Sequence, residues 1–230
     1  MTTPLAAATW PEVAAAPRRV LLWPVGSLEQ HGPHLPLATD TVVAEAVAVR
    51  VHAARPATGL APALPFGASG EHAGFPGTVS IGTDALCTVV VEAVRHAAAD
   101  WSAVVVVNGH GGNVEGLRRA AALCREEGRR LDVVSLGLPG MDAHAGRAET
   151  SMLLDLAPAT VRLDRAAPGA AAPIEELMPR LREYGVRGVS PNGVLGDPTG
   201  AGAAEGARWV AALVAKVLAV VDPLLEDDRD

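Results

Sequence analysis

The sequence predicts an α/β protein: one domain in three α/β/α layers, with a mostly parallel sheet between helices. Three observations point there. Short apolar runs alternate with amphipathic stretches of helical period, the pattern of strand–helix–strand units. Ala103–Val107 contains four consecutive valines, a run that suits a central strand buried on both faces. No Ser/Gly-rich linker or block of charge divides the 230 residues, a length that supports one sizeable core.

Taken in order, residues 1–17 are rich in Ala and Pro and read as an N-terminal arm or a short leading helix around Trp10. Arg19–Val25 reads as a buried strand. Thr39 or Asp40 caps a helix to about Ala54, with Val42, Val43, Ala46, Val47 and Val49 as its apolar stripe. Leu60–Leu64 is a second short strand. Phe66–Gly82 is punctuated by Gly and Pro and reads as loop, and Thr83 opens a helix through Ala99. After the valine strand, Val114–Glu127 forms a helix closed by Gly128, and Leu131–Leu136 a fourth strand. Gly146 permits a turn, with Glu149 near the start of a helix carrying Met152, Leu153 and Leu156. The whole of 1–230 is read as one domain.

Composition narrows the function. Apolar residues make up 49% of the chain, which is a folded protein's share, and the net charge of −7 with scattered arginines argues against nucleic acid as a partner. The apolar runs are short and broken by charge, so no membrane span is expected, and without a secretory signal the expected location is cytoplasmic. Cys87 and Cys124 have no second Cys or His at ligand spacing and read as buried free thiols.

Chemistry concentrates in three clusters. Ser27-Leu-Glu-Gln-His-Gly-Pro-His-Leu-Pro-Leu-Ala-Thr-Asp40 packs Glu29, His31, His34 and Asp40 into a loop whose Gly32, Pro33 and Pro36 exclude regular helix. Asn108-Gly-His-Gly-Gly-Asn113 follows the valine strand. Its spacing matches neither the Rossmann nor the P-loop fingerprint, so a metal-ligand role for His110 outweighs a phosphate cradle. The third cluster holds His144 and Glu149. Here Glu149 could simply favour a helix dipole and His144 could be a hydrogen-bonded loop residue, but beside the other two clusters they read as a carboxylate ligand and an acid/base. In open α/β sheets the functional crevice lies beyond the carboxyl ends of the strands, and each of these loops follows a strand. Glu71 and His72 sit in the loop over that crevice, where substrate contact or loop ordering is expected. His34 reads as a supporting or packing residue before a ligand. His52 and His96, late in helices, are assigned no chemistry. A phosphate-binding module and a scaffold with one structural metal remain as rivals, and metal content separates all three.

The motifs Gly26-Ser-Leu-Glu-Gln-His-Gly-Pro-His-Leu-Pro with Asp40, Glu71-His-Ala-Gly-Phe-Pro-Gly-Thr78, Asn108–Asn113 and His144-Ala-Gly-Arg-Ala-Glu-Thr-Ser151 together resemble the creatininase family of binuclear metal amidohydrolases, over roughly residues 19–220. The resemblance implies a creatininase-like fold and two divalent ions per subunit, Fe2+ or Zn2+ with Mn2+ also compatible. It implies Glu29 and His110 on one ion, His31 and Glu149 on the other, Asp40 bridging, and a ring-like, hexamer-like homo-oligomer. One departure stands out: creatininase carries a glutamate two residues after the equivalent of His110, and here that position is Gly112. This argues against creatinine as substrate. Gly67–Thr78 and Gly193-Val-Leu-Gly-Asp-Pro-Thr199 look most like the mycofactocin-system branch, which implies a peptidase that releases a Val-Tyr-derived dipeptide from a modified precursor peptide. Hydrolysis of a small cyclic amide or formamide is the alternative. His144 is then expected to move a proton to the departing amine. Arg147, by sequence position, is the expected partner of the substrate's free carboxylate.

Overall fold

A computed structural model describes residues 3–16 and 20–226; Arg19 and residues 1, 2 and 17, which the sequence reading assigned to the first strand and the arm, lie outside them. Four strands form the sheet in the order β2-β1-β3-β4: β1 (Val20–Val25), β2 (Thr58–Leu60), β3 (Ala103–Asn108) and β4 (Leu131–Ser135). All three pairings are parallel. The valine strand is central and buried along its whole length.

Side chains alternate across a strand, so β3 feeds two cores. Val105 and Val107 join Val20 and Leu22 of β1 on one face, packed against α2 (Thr39–Ala54), α5 (Arg147–Leu156) and α7 (Ala203–Glu226). Val104 and Val106 join Leu21 and Val25 on the other, packed against α3 (Thr83–Ala97) and α4 (Val114–Glu126). This is the expected three-layer arrangement. Cys87 and Cys124 are buried free thiols in the second core.

One strand differs from the sequence reading. The second strand is Thr58–Leu60, not Leu60–Leu64. Pro62 has no N–H to give to a ladder, and beyond Leu60 only a single bridge between Leu64 and Val25 continues the pairing. The arm contains α1 (Trp10–Ala15), opened by a hydrogen bond from the Thr9 N–H to Glu12 Oε2 (2.6 Å). Leu5 and Val13 pack against the second core. His52, assigned no chemistry, is buried and its Nδ1 lies 3.1 Å from Thr58 Oγ1.

α6 (Ile174–Val189) crosses the carboxyl end of the sheet and kinks at Gly185, whose φ is 65°. A Cβ there would stand 2.9 Å from the Glu71 carbonyl oxygen, so glycine permits the kink to close on the Glu71–His72 turn. No helix among the described residues is long and apolar enough to cross a membrane.

Candidate metal centre

A cleft of about 530 Å³ opens at the carboxyl ends of the strands. Asp40, Glu71, His72, His110, His144 and Glu149 all line it, so the three sequence clusters converge where strand polarity places them. Each arrives by a different device. β1 delivers the Glu29–His31 segment. Asp40 is the second residue of α2, at the positive end of its dipole. β3 delivers His110, and its loop passes so close to α2 that a Cβ on Gly109 would sit 2.5 Å from the Asp40 carbonyl oxygen. His144 is held in an antiparallel bridge to Leu195, with hydrogen bonds of 3.2 and 2.9 Å, which gives the Gly193–Thr199 motif a structural role. Ala145 then turns in the left-handed region (φ 52°) and brings Glu149, on the first turn of α5, back beside His144.

The centre of the site is Glu29. Its carboxylate is fully buried, and neither oxygen has a hydrogen-bond partner. Yet Oε2 lies 3.1 Å from His110 Nδ1, and Oε1 lies 3.2 Å from His72 Nε2 and 3.7 Å from His144 Nδ1. An uncompensated buried carboxylate costs several kcal/mol. Nitrogen and oxygen atoms that crowd together without hydrogen-bond alignment have the arrangement of donors that share a cation. Asp40 extends the cluster: Oδ1 lies 3.0 Å from His31 Nε2, Oδ2 lies 3.3 Å from His110 Nδ1, and Oδ2 accepts a 2.5 Å hydrogen bond from Ser27 Oγ. Glu149 Oε2 is 4.0 Å from His31 Nε2 and accepts from the Ala145 N–H (2.5 Å). Donor atoms within 4.8 Å of one another form three candidate groups: Glu29, His31 and Asp40; His31, His144 and Glu149; and Glu29, His72 and His144. Separations of this size fit imidazole and carboxylate donors around ions bound at about 2.0–2.2 Å. The residues present therefore fit a divalent metal centre of mixed carboxylate and imidazole character.

Protonation tells the same story. Burial opposes charge on His31, but Asp40 beside it and Glu149 and Glu29 further off together outweigh burial and raise the imidazole to about 10. Burial, reinforced by Asp40 and Glu29, lifts the Glu149 carboxyl to about 7. A proton is thus drawn into the space that a cation would satisfy. Burial, with His31 and His72 nearby, holds His144 well below the ordinary histidine value, so its imidazole is neutral. For Glu71, burial is outweighed by His110, and the carboxyl is lowered.

The other residues singled out in the sequence fall in different places. His144 reaches two of the candidate donor groups, in addition to its place on the cleft wall. His72 lines the cleft but is buried, with its Nε2 3.2 Å from Glu29 Oε1. His34 belongs to none of the candidate groups; its Nε2 lies 2.9 Å from Thr150 Oγ1, a packing role beneath α5. Arg147 does not line the cleft: it is half-exposed, and its guanidinium Nε donates to Glu205 Oε2 at 2.8 Å. The arginine that does line the cleft is Arg182, on α6. Sequence reasoning also missed Ser27 and Gln30. Gln30 Nε2 lies 2.9 Å from His72 Nδ1 and donates to the Gly193 carbonyl (3.0 Å), while the Gln30 backbone carbonyl lies 2.8 Å from His144 Nε2. One residue thereby positions two histidine rings.

The comparisons with known proteins agree with this geometry. The family model Creatininase, described as creatinine amidohydrolase, matches residues 6–221. The mycofactocin precursor peptide peptidase of Mycolicibacterium smegmatis is 55% identical over 201 residues, 85% of this chain and 81% of that protein. Among solved structures, one titled creatininase Mn superposes with a TM-score of 0.76 at 28% identity, covering 94% of this chain and 96% of that one. A mutant creatininase of Zn-Zn type gives 0.77 at 28% identity over the same shares.

Proposed function

The chain belongs to the creatininase family and is a hydrolase acting on C–N bonds, and from that premise we propose that it is a binuclear metal-dependent peptidase. In this reading it releases the C-terminal Val-Tyr-derived dipeptide from a modified mycofactocin precursor peptide. The observation that carries the metal chemistry is the Glu29 carboxylate, fully buried, without hydrogen bonds and ringed by imidazole nitrogens. The peptide substrate is supported by the similarity to the peptidase and by a cleft that a chain end can enter.

In the proposed assignment Glu29 and His110 would hold one ion, His31 and Glu149 the other, and Asp40 would contribute to both. Fe2+, Zn2+ and Mn2+ all suit such donors. When bound, such ions would supply Lewis-acid polarisation of an amide carbonyl and a water acidified from a pKa of ~16 towards ~7. The chain's residues do the rest. Ser27 and the loop glycines fix Asp40 and His110. Gln30 fixes the ring of His144, which is neutral and so free to take a proton as water is consumed. It then gives that proton to the departing amine nitrogen. Ile174, Met178 and Leu181 of α6 supply an apolar wall for the substrate's side chains, and Arg182, at the same edge, is proposed to meet the free carboxylate.

The deciding experiment incubates metal-loaded protein with the modified precursor peptide and, separately, with creatinine. Release of the dipeptide, abolished by chelation and restored by Fe2+ or Zn2+, supports the reading. Hydrolysis of creatinine with the peptide left intact overturns the peptide assignment.

A further inference from the structure

His110 faces two ways. Its Nδ1 is directed at Glu29 Oε2 (3.1 Å) and Asp40 Oδ2 (3.3 Å). Its Nε2 looks away from them, towards Glu71 Oε1 (3.3 Å), the Ala68 carbonyl (3.3 Å) and Ser69 Oγ (3.5 Å). A ring whose Nδ1 binds a cation must carry its proton on Nε2, and that N–H needs an acceptor. Glu71 reaches it across an unusual space: a Cβ on Gly112 would overlap Glu71 Oε1, the Ala68 carbonyl oxygen and His110 Nε2. The second glycine after His110 is therefore the room through which the loop carboxylate enters. That loop is firmly held. The Ala68 N–H donates to Asn113 Oδ1 (2.8 Å), the Ser69 N–H to Ser80 Oγ (2.9 Å), and Gly185 of α6 closes on the Glu71 backbone.

We propose that Glu71 is the positioning residue of His110: its carboxylate accepts the Nε2–H and aims the Nδ1 lone pair at the Glu29–Asp40 metal position, and residue 112 is glycine to admit it. The inference deepens the metallohydrolase reading and rests on it. It also gives the glycine at position 112 a reason, since a Cβ there would occupy the space through which Glu71 reaches His110. Its rival is the Ala68 carbonyl, at the same distance. The carboxylate is the stronger acceptor, because a charged acceptor makes a hydrogen bond roughly twice as strong as a neutral one. Removing such an outer partner of a ligating histidine typically weakens metal binding ~10–100-fold.

The test measures Zn2+ binding to the metal-free full-length protein by chelator competition, so it needs no turnover. Glu71→Ala is expected to weaken Zn2+ at one of two positions by ~10–100-fold, with the circular dichroism spectrum unchanged. Formate, a small carboxylate that fits the vacated space, is expected to restore part of that affinity. Glu71→Gln keeps an acceptor oxygen without the charge and is expected to fall between wild type and Glu71→Ala. Wild-type affinity in Glu71→Ala overturns the proposal and assigns the N–H to Ala68. A loss in Glu71→Ala that neither glutamine nor formate relieves also overturns it, because that is what a purely structural role gives. Wild-type protein that binds no divalent ion would instead remove the metallohydrolase reading on which the proposal rests.

Discussion

His31 Nε2 lies 3.0 Å from Asp40 Oδ1, while the other oxygen of the same carboxylate lies 3.3 Å from His110 Nδ1, so Asp40 stands between two imidazoles that come from different strands. In the proposed assignment a carboxylate in that position would serve two cation sites at once. Glu149, 4.0 Å from His31, adjoins only one. Asp40→Ala is therefore expected to lose both metal ions and Glu149→Ala mainly one. Elemental analysis of the purified variants checks this, and two ions retained in Asp40→Ala would remove the bridging assignment.

His144 is held by Gln30 and by the Leu195 bridge, and burial keeps it neutral. As a proton carrier and not a ligand, it is expected to be dispensable for metal binding. His144→Ala should keep its metals and fold while turnover falls ~10²-fold or more, the usual contribution of an acid/base group. Its nearness to Glu29 and Glu149 makes metal loss the informative opposite result, since that would make His144 a ligand.

Acid sensitivity follows from His34. Burial, with His31 nearby, lowers its imidazole from the ordinary 6.5, and its Nδ1 is buried without a hydrogen bond. Between the folded and unfolded values the unfolded chain binds more protons, so stability rises with pH. The contribution is fully present above pH 6.5 and is lost as the pH falls through the lowered folded value. Thermal unfolding is expected to show the melting temperature dropping below that pH, with a shallower drop in His34→Gln. Equal slopes in both proteins would show that other groups carry the acid response.

The sheet, and the edge of it on which the candidate site residues gather, were legible in the sequence for local reasons. The four valines of β3 announce a strand buried on both faces, and the loop after each strand must lie at one edge, so the convergence of Asp40, His110, His144 and Glu149 on one cleft, with Glu29 buried beside His110, follows strand polarity. What escaped depends on long-range contacts or on misleading local signals. Gln30 touches His72, Gly193 and His144, partners that spacing does not encode. Glu71 was read as a substrate residue because nothing local shows it crossing Gly112 to His110. α6 went unread because Pro179, Gly185 and Gly188 look like breakers, whereas the helix accommodates Pro179 and kinks at Gly185. The placing of Arg147 rested on the same kind of signal: adjacency to His144 and Glu149 in sequence put it near the site, whereas as the first residue of α5 it pairs with Glu205 on α7 and stands outside the cleft lining.

That correction fixes the last prediction. A substrate's free α-carboxylate is an anion approaching Asp40, Glu71, Asp142 and Glu149, so it needs a cation held clear of them. Arg182 is the only arginine or lysine lining the cleft among the described residues. It is exposed, and none of them is a carboxylate paired with it. It extends from α6 beside Leu181 and one turn beyond Met178, so one helix offers both an apolar wall and a charged end. A hydrogen bond to a charged group contributes roughly 1.5–3 kcal/mol, and exposure at the cleft edge reduces this by solvent screening. Arg182→Ala is therefore expected to raise the apparent KM for the free-acid peptide roughly tenfold, with kcat and metal content little changed, whereas Arg147→Ala should leave KM near wild type. The peptide with an amidated C-terminus should be a poor substrate for the wild-type protein and no worse for Arg182→Ala. Steady-state kinetics with mass-spectrometric detection of the dipeptide reads all three. Equal KM values for free-acid and amidated peptides in the wild type would end the carboxylate-recognition idea, and a KM rise confined to Arg147→Ala would return the role to that residue.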